Sequence, residues 1–218
     1  MALNKLKFNS LNVTPTAGKT VGFNSDADGL EATFSGGAMT FIKKLTASSD
    51  STLSFVDGSS SVVLDNTYKE YMFTFKDIHG SADSHFGFNG SIDSGSNYNV
   101  TKTTTYFQAY HAENASDAGV SYYTDSDIAQ GTGFQRLMRH IGADNDQSGA
   151  GYLHLFNPSD TTFVKHFIAV TNMSNKDDLS YNPYVAGYFN TTSAIDAVQF
   201  KMESGNIDAG TITLYGIN

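Results

Sequence analysis

The chain has 218 residues, 39% hydrophobic and only 16% charged, and 22 acids against 13 bases leave a net charge of -9. That balance excludes non-specific nucleic-acid binding, which needs Lys and Arg to displace counterions, and Arg136 and Arg139 are the only arginines. With no cysteine there is no disulfide, thiolate metal site or cysteine nucleophile, and no apolar run reaches membrane-spanning length.

Residues 1–36 differ from the rest. Short apolar pairs (Leu6 with Phe8, Val21 with Phe23) sit between turn clusters, too little for a self-standing core because a lone hairpin is marginal in water. Lys5, Lys7 and Lys19 precede the first acid, Asp26, and MALNKLKFNSLNV lacks the apolar core of a signal peptide. These residues read as an attachment or oligomerisation segment, and Gly36-Gly37 marks the boundary with a main domain over 37–218.

From there the pattern predicts about eleven strands. Segments 39–45 and 52–56 are short. In 71–75, Tyr71, Phe73 and Phe75 share one face, as in a central strand. Segment 85–89 follows, then 103–110, where Thr103, Thr105 and Phe107 oppose Thr104, Tyr106 and Tyr110. Segments 120–123, 151–156, 162–170, 184–189, 196–202 and 211–217 complete the count. Only 127–141 hints at helix, through Phe134, Leu137, Met138 and Ile141, with Gly131 and Gly133 limiting it to two turns.

The final strand pair is the plainest. Val198, Phe200 and Met202 alternate with Gln199, Lys201 and Glu203; after a Ser204-Gly205-Asn206 turn, Ile212 and Leu214 alternate with Thr211, Thr213 and Tyr215. Ending on a core strand is expected to close a β-structure with the C-terminus. Sixteen Phe and twelve Tyr without Trp predict a core of phenyl rings, and twenty Gly against three Pro suit many tight turns. Without a helical layer the sheets are expected to be antiparallel, in one sandwich of the length such domains commonly reach.

Motifs for chemistry are few. Asn24-x-Asp26-x-Asp28-Gly29 and Asp144-x-Asp146-x-Ser148-Gly149 resemble the opening of a calcium loop, but the twelfth position, which needs a bidentate Glu, is Ser35 in one and Leu155 in the other. Turns stabilised by Asx side chains are the plainer reading of both, beside calcium binding. His154 and His166 fall on neighbouring predicted strands with Asp160 nearby, and could meet around a transition metal; ordinary strand histidines are the plainer reading. There is no GxSxG elbow, HExxH or phosphate loop. The chain reads as non-enzymatic, with no cofactor. The surface candidates are tyrosines: Tyr106 with Tyr110, Tyr122 with Tyr123, and Tyr181 with Tyr184 and Tyr188. Exposed Tyr beside Asn and Asp can stack on sugar rings, while core and subunit packing compete for each ring.

Three segments in order carry a family resemblance: TASSDSTLSFVDG followed by YKEYMFTFKDI at 46–78, DNDQSGAGYLHLFNPSDTTFVKHF at 144–167, and AGYFNTTSAIDAVQFKMESGNIDAGTITLYGI at 186–217. Together they resemble the jelly-roll module of structural proteins of tailed, especially marine, bacteriophages, over about 37–218. AGKTVGFNSDADGLEA at 17–32 resembles leaders seen on phage fibres. The resemblance implies an antiparallel jelly roll in the virion, on the head (capsid decoration or head fibre) or the tail (tail fibre), assembled in the host cytoplasm. It implies other virion proteins as partners and a homo-oligomer, with a trimer favoured. A lectin-like module recognising host surface glycans is the alternative.

Overall fold

The structure is a computed structural model and describes residues 20–23, 30–33 and 38–217. Leu6, Phe8 and the first Asp cluster lie outside the described residues. The chain divides into two compact units, Met1–Thr40 and Phe41–Asn218. In the first, β1 (Thr20–Phe23, carrying Val21) pairs antiparallel with β2 (Leu30–Thr33).

The remaining described strands are β3 (Met39–Thr46), β4 (Leu53–Val56), β5 (Glu70–Gly80), β6 (Ser84–Ser91), β7 (Lys102–Ala112), β8 (Ala118–Tyr122), β9 (Gln135–Ile141), β10 (Gly149–Phe156), β11 (Lys165–Ser174), β12 (Leu179–Phe189), β13 (Ala197–Met202) and β14 (Ile207–Ile217). No helix occurs among the described residues. One sheet runs β3-β14-β5-β10-β11-β12-β7-β8 and the other β4-β13-β6-β9. Their facing sides share one hydrophobic core.

This is a jelly roll. The neighbours β3 and β14, β4 and β13, β5 and β10, and β6 and β9 are nested pairs, as if one long hairpin had been rolled so that successive pairs alternate between sheets. Two excursions interrupt the roll: β7–β8 between β6 and β9, and β11–β12 between β10 and β13. Both join the β10 edge, so one sheet becomes twice as wide as the other.

The expected final pair is therefore not a hairpin. β13 hydrogen-bonds β4 and β6, whereas β14 lies between β3 and β5 in the other sheet. Each strand still buries the face its alternation predicts: Val198, Phe200 and Met202 in one, Ile212 and Leu214 in the other. The helical hint at 127–141 is also corrected. β9 is a strand, and Leu137, Met138 and Ile141 are all fully buried because its register against β6 shifts on either side of Phe86. A bulge leaves two residues opposite one and moves the buried side out of period two, which imitates helical spacing.

Phe200 sits at the centre of the core. Its ring lies 5.3 Å from Phe73, 5.4 Å from Phe75, 5.9 Å from Phe86 and 6.2 Å from both Phe55 and Phe88, in edge-on and offset-stacked arrangements that suit the ring quadrupole. Farther along the wide sheet the interior turns polar. Lys102 and Lys165, both fully buried, stand either side of Phe189 in the register of β7, β12 and β11. Lys102 Nζ donates to Gly133 O at 2.6 Å, and Lys165 Nζ donates to Phe163 O at 2.8 Å and Thr191 O at 3.2 Å.

Candidate functional site

The sheets separate the seven tyrosine candidates for surface contact, of which Tyr188 is half-buried on β12, between His166 and Thr103. Tyr106 points inward from β7 and is fully buried, its hydroxyl donating to Gln108 Oε1 at 3.0 Å; it is not a contact residue. Tyr123 is half-buried, edge-on to Tyr106 at 6.2 Å, with the Arg139 guanidinium 4.4 Å over its ring. Tyr110 and Tyr181 face each other across β7 and β12 with their centroids 6.2 Å apart, also half-buried. Tyr122 and Tyr184 are exposed.

Those two belong to a feature the sequence pairing did not reveal. Register places Tyr122, Phe107, Tyr184, Val170 and Tyr152 opposite one another across β8, β7, β12, β11 and β10, on the outer face of the wide sheet. Phe107 and Tyr184 stack nearly parallel, with centroids 5.1 Å apart and planes 4° from parallel. Ile168, 48% exposed, and Val120, 70% exposed, flank the row. Phe107, Val120, Tyr152 and Ile168 were missed as surface residues. The signal was present in TTTYFQAY, where apolar residues fall on both faces of β7.

A second feature lies on the narrow sheet. A cleft of about 460 Å3 opens over its outer side, lined by His85 and Gly87 of β6, Phe134 and Arg136, Lys201 of β13, Glu203 and residues 125–128. Gly87 leaves the floor bare, since a Cβ there would lie 2.7 Å from Gln135 O. Both arginines of the chain fix its walls. Arg136 Nε donates to Glu203 Oε2 at 3.0 Å and Nη2 to Oε1 at 3.2 Å, a two-pronged pairing, while Nη1 donates to Asp125 O at 2.9 Å. Arg139 Nη2 donates to Asp125 Oδ2 at 2.9 Å. Tyr122 reaches over from β8, its hydroxyl donating to Asp127 Oδ2 at 2.6 Å.

The electrostatics follow from these contacts. Burial raises the Asp125 carboxyl, but the Arg139 hydrogen bond and charge outweigh it and hold the group below its ordinary range. His85 Nδ1 accepts the His140 backbone N–H at 3.0 Å, which assigns the ring proton to Nε2. Burial, helped by the positive charge of Arg136, pushes His85 down to about 4, so its ring is neutral in ordinary buffers. Lys201 Nζ lies 4.4 Å over the Phe134 ring and forms no hydrogen bond or ion pair among the described residues.

The metal readings gain no geometry. His154 stands opposite Ile168 and bonds Glu70, whereas His166 stands opposite Tyr188. Asp160 accepts the backbone N–H groups of Thr162 and Phe163. In the second Asp cluster Asp144 and Gln147 close a turn on each other. Among the described residues no group of three or more His, Asp or Glu converges as metal ligands would. No family model, no curated protein and no solved structure matches the chain.

Proposed function

We propose that this chain is a non-enzymatic structural protein of a tailed-bacteriophage virion. It is a surface-displayed jelly-roll appendage (capsid decoration, head fibre or tail fibre) tethered to the particle by residues 1–36. The outer face of its wide sheet packs between copies, with a trimer favoured. The observation that carries this reading is the aromatic row Tyr122–Phe107–Tyr184–Val170–Tyr152 with Val120 and Ile168 beside it. An apolar band running across five strands is larger than scattered exposed side chains, and contiguous patches of that kind mark interaction surfaces. Closed symmetry repeats the contact around an axis, so individually weak packing adds up. The phage assignment rests on the order of the three resembling segments.

Light scattering on the eluting full chain tests this reading. The expected mass is three times the 23.5 kDa protomer. Phe107→Asp combined with Val120→Asp is expected to give protomers with an unchanged circular dichroism spectrum, because both side chains point outward. A native chain that stays a single protomer at about 100 μM, well above the micromolar range of ordinary association, refutes the packing. Loss of residues 1–36 is expected to abolish incorporation into particles, and truncated protein that still joins them refutes the tether. The second reading, a lectin-like module for host surface glycans, is favoured by one observation, the polar cleft joined to Tyr122 through Asp127.

A further inference from the structure

We infer that the cleft over the narrow sheet binds an uncharged pyranose unit of a glycan. This goes beyond the packing of copies and gives the lectin-like reading a different site from the tyrosines first considered. Its volume of about 460 Å3 falls within the range of small-molecule sites, roughly 300–1,000 Å3.

The charges choose the ligand class. Asp125, Asp127 and Glu203 face Arg136 and Lys201, and the neutral His85 adds nothing. Arg136 is already committed to Glu203 and to the Asp125 carbonyl, so no guanidinium remains for a phosphate or carboxylate. A cationic ligand would meet Lys201. A neutral polyol suits what is left, because each hydroxyl both donates and accepts. The donors are His85 Nε2–H and Lys201 Nζ, neither of which has a hydrogen-bond partner among the described residues. The acceptors are Asp127 Oδ1, whose fellow oxygen takes the Tyr122 hydroxyl, and the Glu203 carboxylate. Phe134 and Ile128 offer apolar surface to the C–H side of a sugar ring. Tyr122, Arg136 and Arg139 hold the three carboxylates in place before a ligand arrives, which lowers the entropy cost of binding.

The test is titration of isotope-labelled full chain with the methyl glycosides of glucose, galactose and mannose, followed by amide NMR. Titration reaches about 100 mM, a hundredfold beyond millimolar affinity. At least one glycoside is expected to saturate and to shift amides of residues 85–87, 125–136 and 201–203. Asp127→Asn and Lys201→Met, two changes at the cleft surface, are each expected to weaken binding about tenfold or more. Phe107→Asp with Val120→Asp leaves it unchanged, which separates failure here from failure of the packing between copies. Absence of saturation by all three glycosides overturns the inference. So does saturation that shifts amides elsewhere or ignores both cleft substitutions, or inorganic phosphate competing for the same amides.

Discussion

Replacing Lys102 by Met tests the most unusual packing in the molecule. Lys102 is fully buried and has no carboxylate partner among the described residues; burial alone pushes its amine down to about 7 from the ordinary 10.5. The sign follows from proton counting. Between those two values the unfolded chain carries a proton on Lys102 that the folded chain does not, so stability rises with pH, by about 1.4 kcal/mol per unit. Integrated from pH 7.5 to 9.5 with both titrations included, the rise is about 2.5 kcal/mol. Lys102→Met removes it, while Gly133 O keeps Asn89 Nδ2 as a donor at 3.3 Å and is not stranded. Urea unfolding of both proteins at several pH values isolates the effect, since every other titrating group cancels in the difference. Native minus variant stability is expected to grow by about 2.5 kcal/mol over that window. At pH 6 the variant is expected to be the more stable protein, because the native chain must then bury a charge. A difference that stays flat from pH 7.5 to 9.5 would mean Lys102 titrates as a solvated amine, and the packing described for β7 would be wrong.

Two further outcomes follow, one from the core and one from the cleft. Phe200→Ala removes a ring that contacts five others and is expected to cost about 4–5 kcal/mol, the upper end for such truncations, read as a fall in melting temperature by calorimetry; a loss under about 2 kcal/mol would place Phe200 at a collapsible edge. His85 ring signals are expected to keep their neutral NMR shifts down to about pH 5 and to titrate near 4. Because its folded value lies below the unfolded one, its contribution to stability declines as pH falls through that interval, and titration near 6.5 would contradict the assigned hydrogen bond from His140.

Sequence pattern exposed the strands better than their partners. Alternation alone places Tyr71, Phe73 and Phe75 inside, and they are buried. Pairing is not local in a rolled hairpin, so the nearest strand in sequence is often in the opposite sheet, as β13 and β14 show. Strand length was hidden by special residues. The expectation for β12 began at 184, just after Pro183, which has no N–H to give a ladder, yet the strand starts at Leu179. The β11–β12 register skips the residues beside Pro183, and side-chain amides fill the gap: Asn182 Nδ2 donates to Thr171 O at 2.6 Å and Asn172 Nδ2 to Tyr181 O at 2.9 Å. β14 likewise starts at Ile207, before the predicted 211, where Gly210 at φ +111 brings its backbone against Asp77 and shifts the register. The cleft was illegible for another reason. Its residues come from four separate stretches, and none of them carries a motif.

The sheet face and the cleft have one structural origin. A jelly roll of eight strands covers each of its sheets with the other, but β7, β8, β11 and β12 widen only one. Their outer side extends the flat face that carries the aromatic row. Their inner side is covered by β9, the edge strand of the narrow sheet, and by the segment before it. That segment is bonded to β7 and to the start of β9: Thr104 N donates to Ile128 O at 2.8 Å, Lys102 N to Gly131 O at 2.9 Å, and Gln135 Nε2 of β9 to Ser126 O at 2.9 Å. Two inward-facing residues of β7 also bond the backbone of this strip through their side chains, Lys102 Nζ donating to Gly133 O and Thr104 Oγ1 accepting the Ile128 N–H. The other side of the same strip, with Asp125, Asp127 and Phe134, is the wall of the cleft. A change that loosens Lys102 or Thr104 from this strip should therefore disturb the cleft wall.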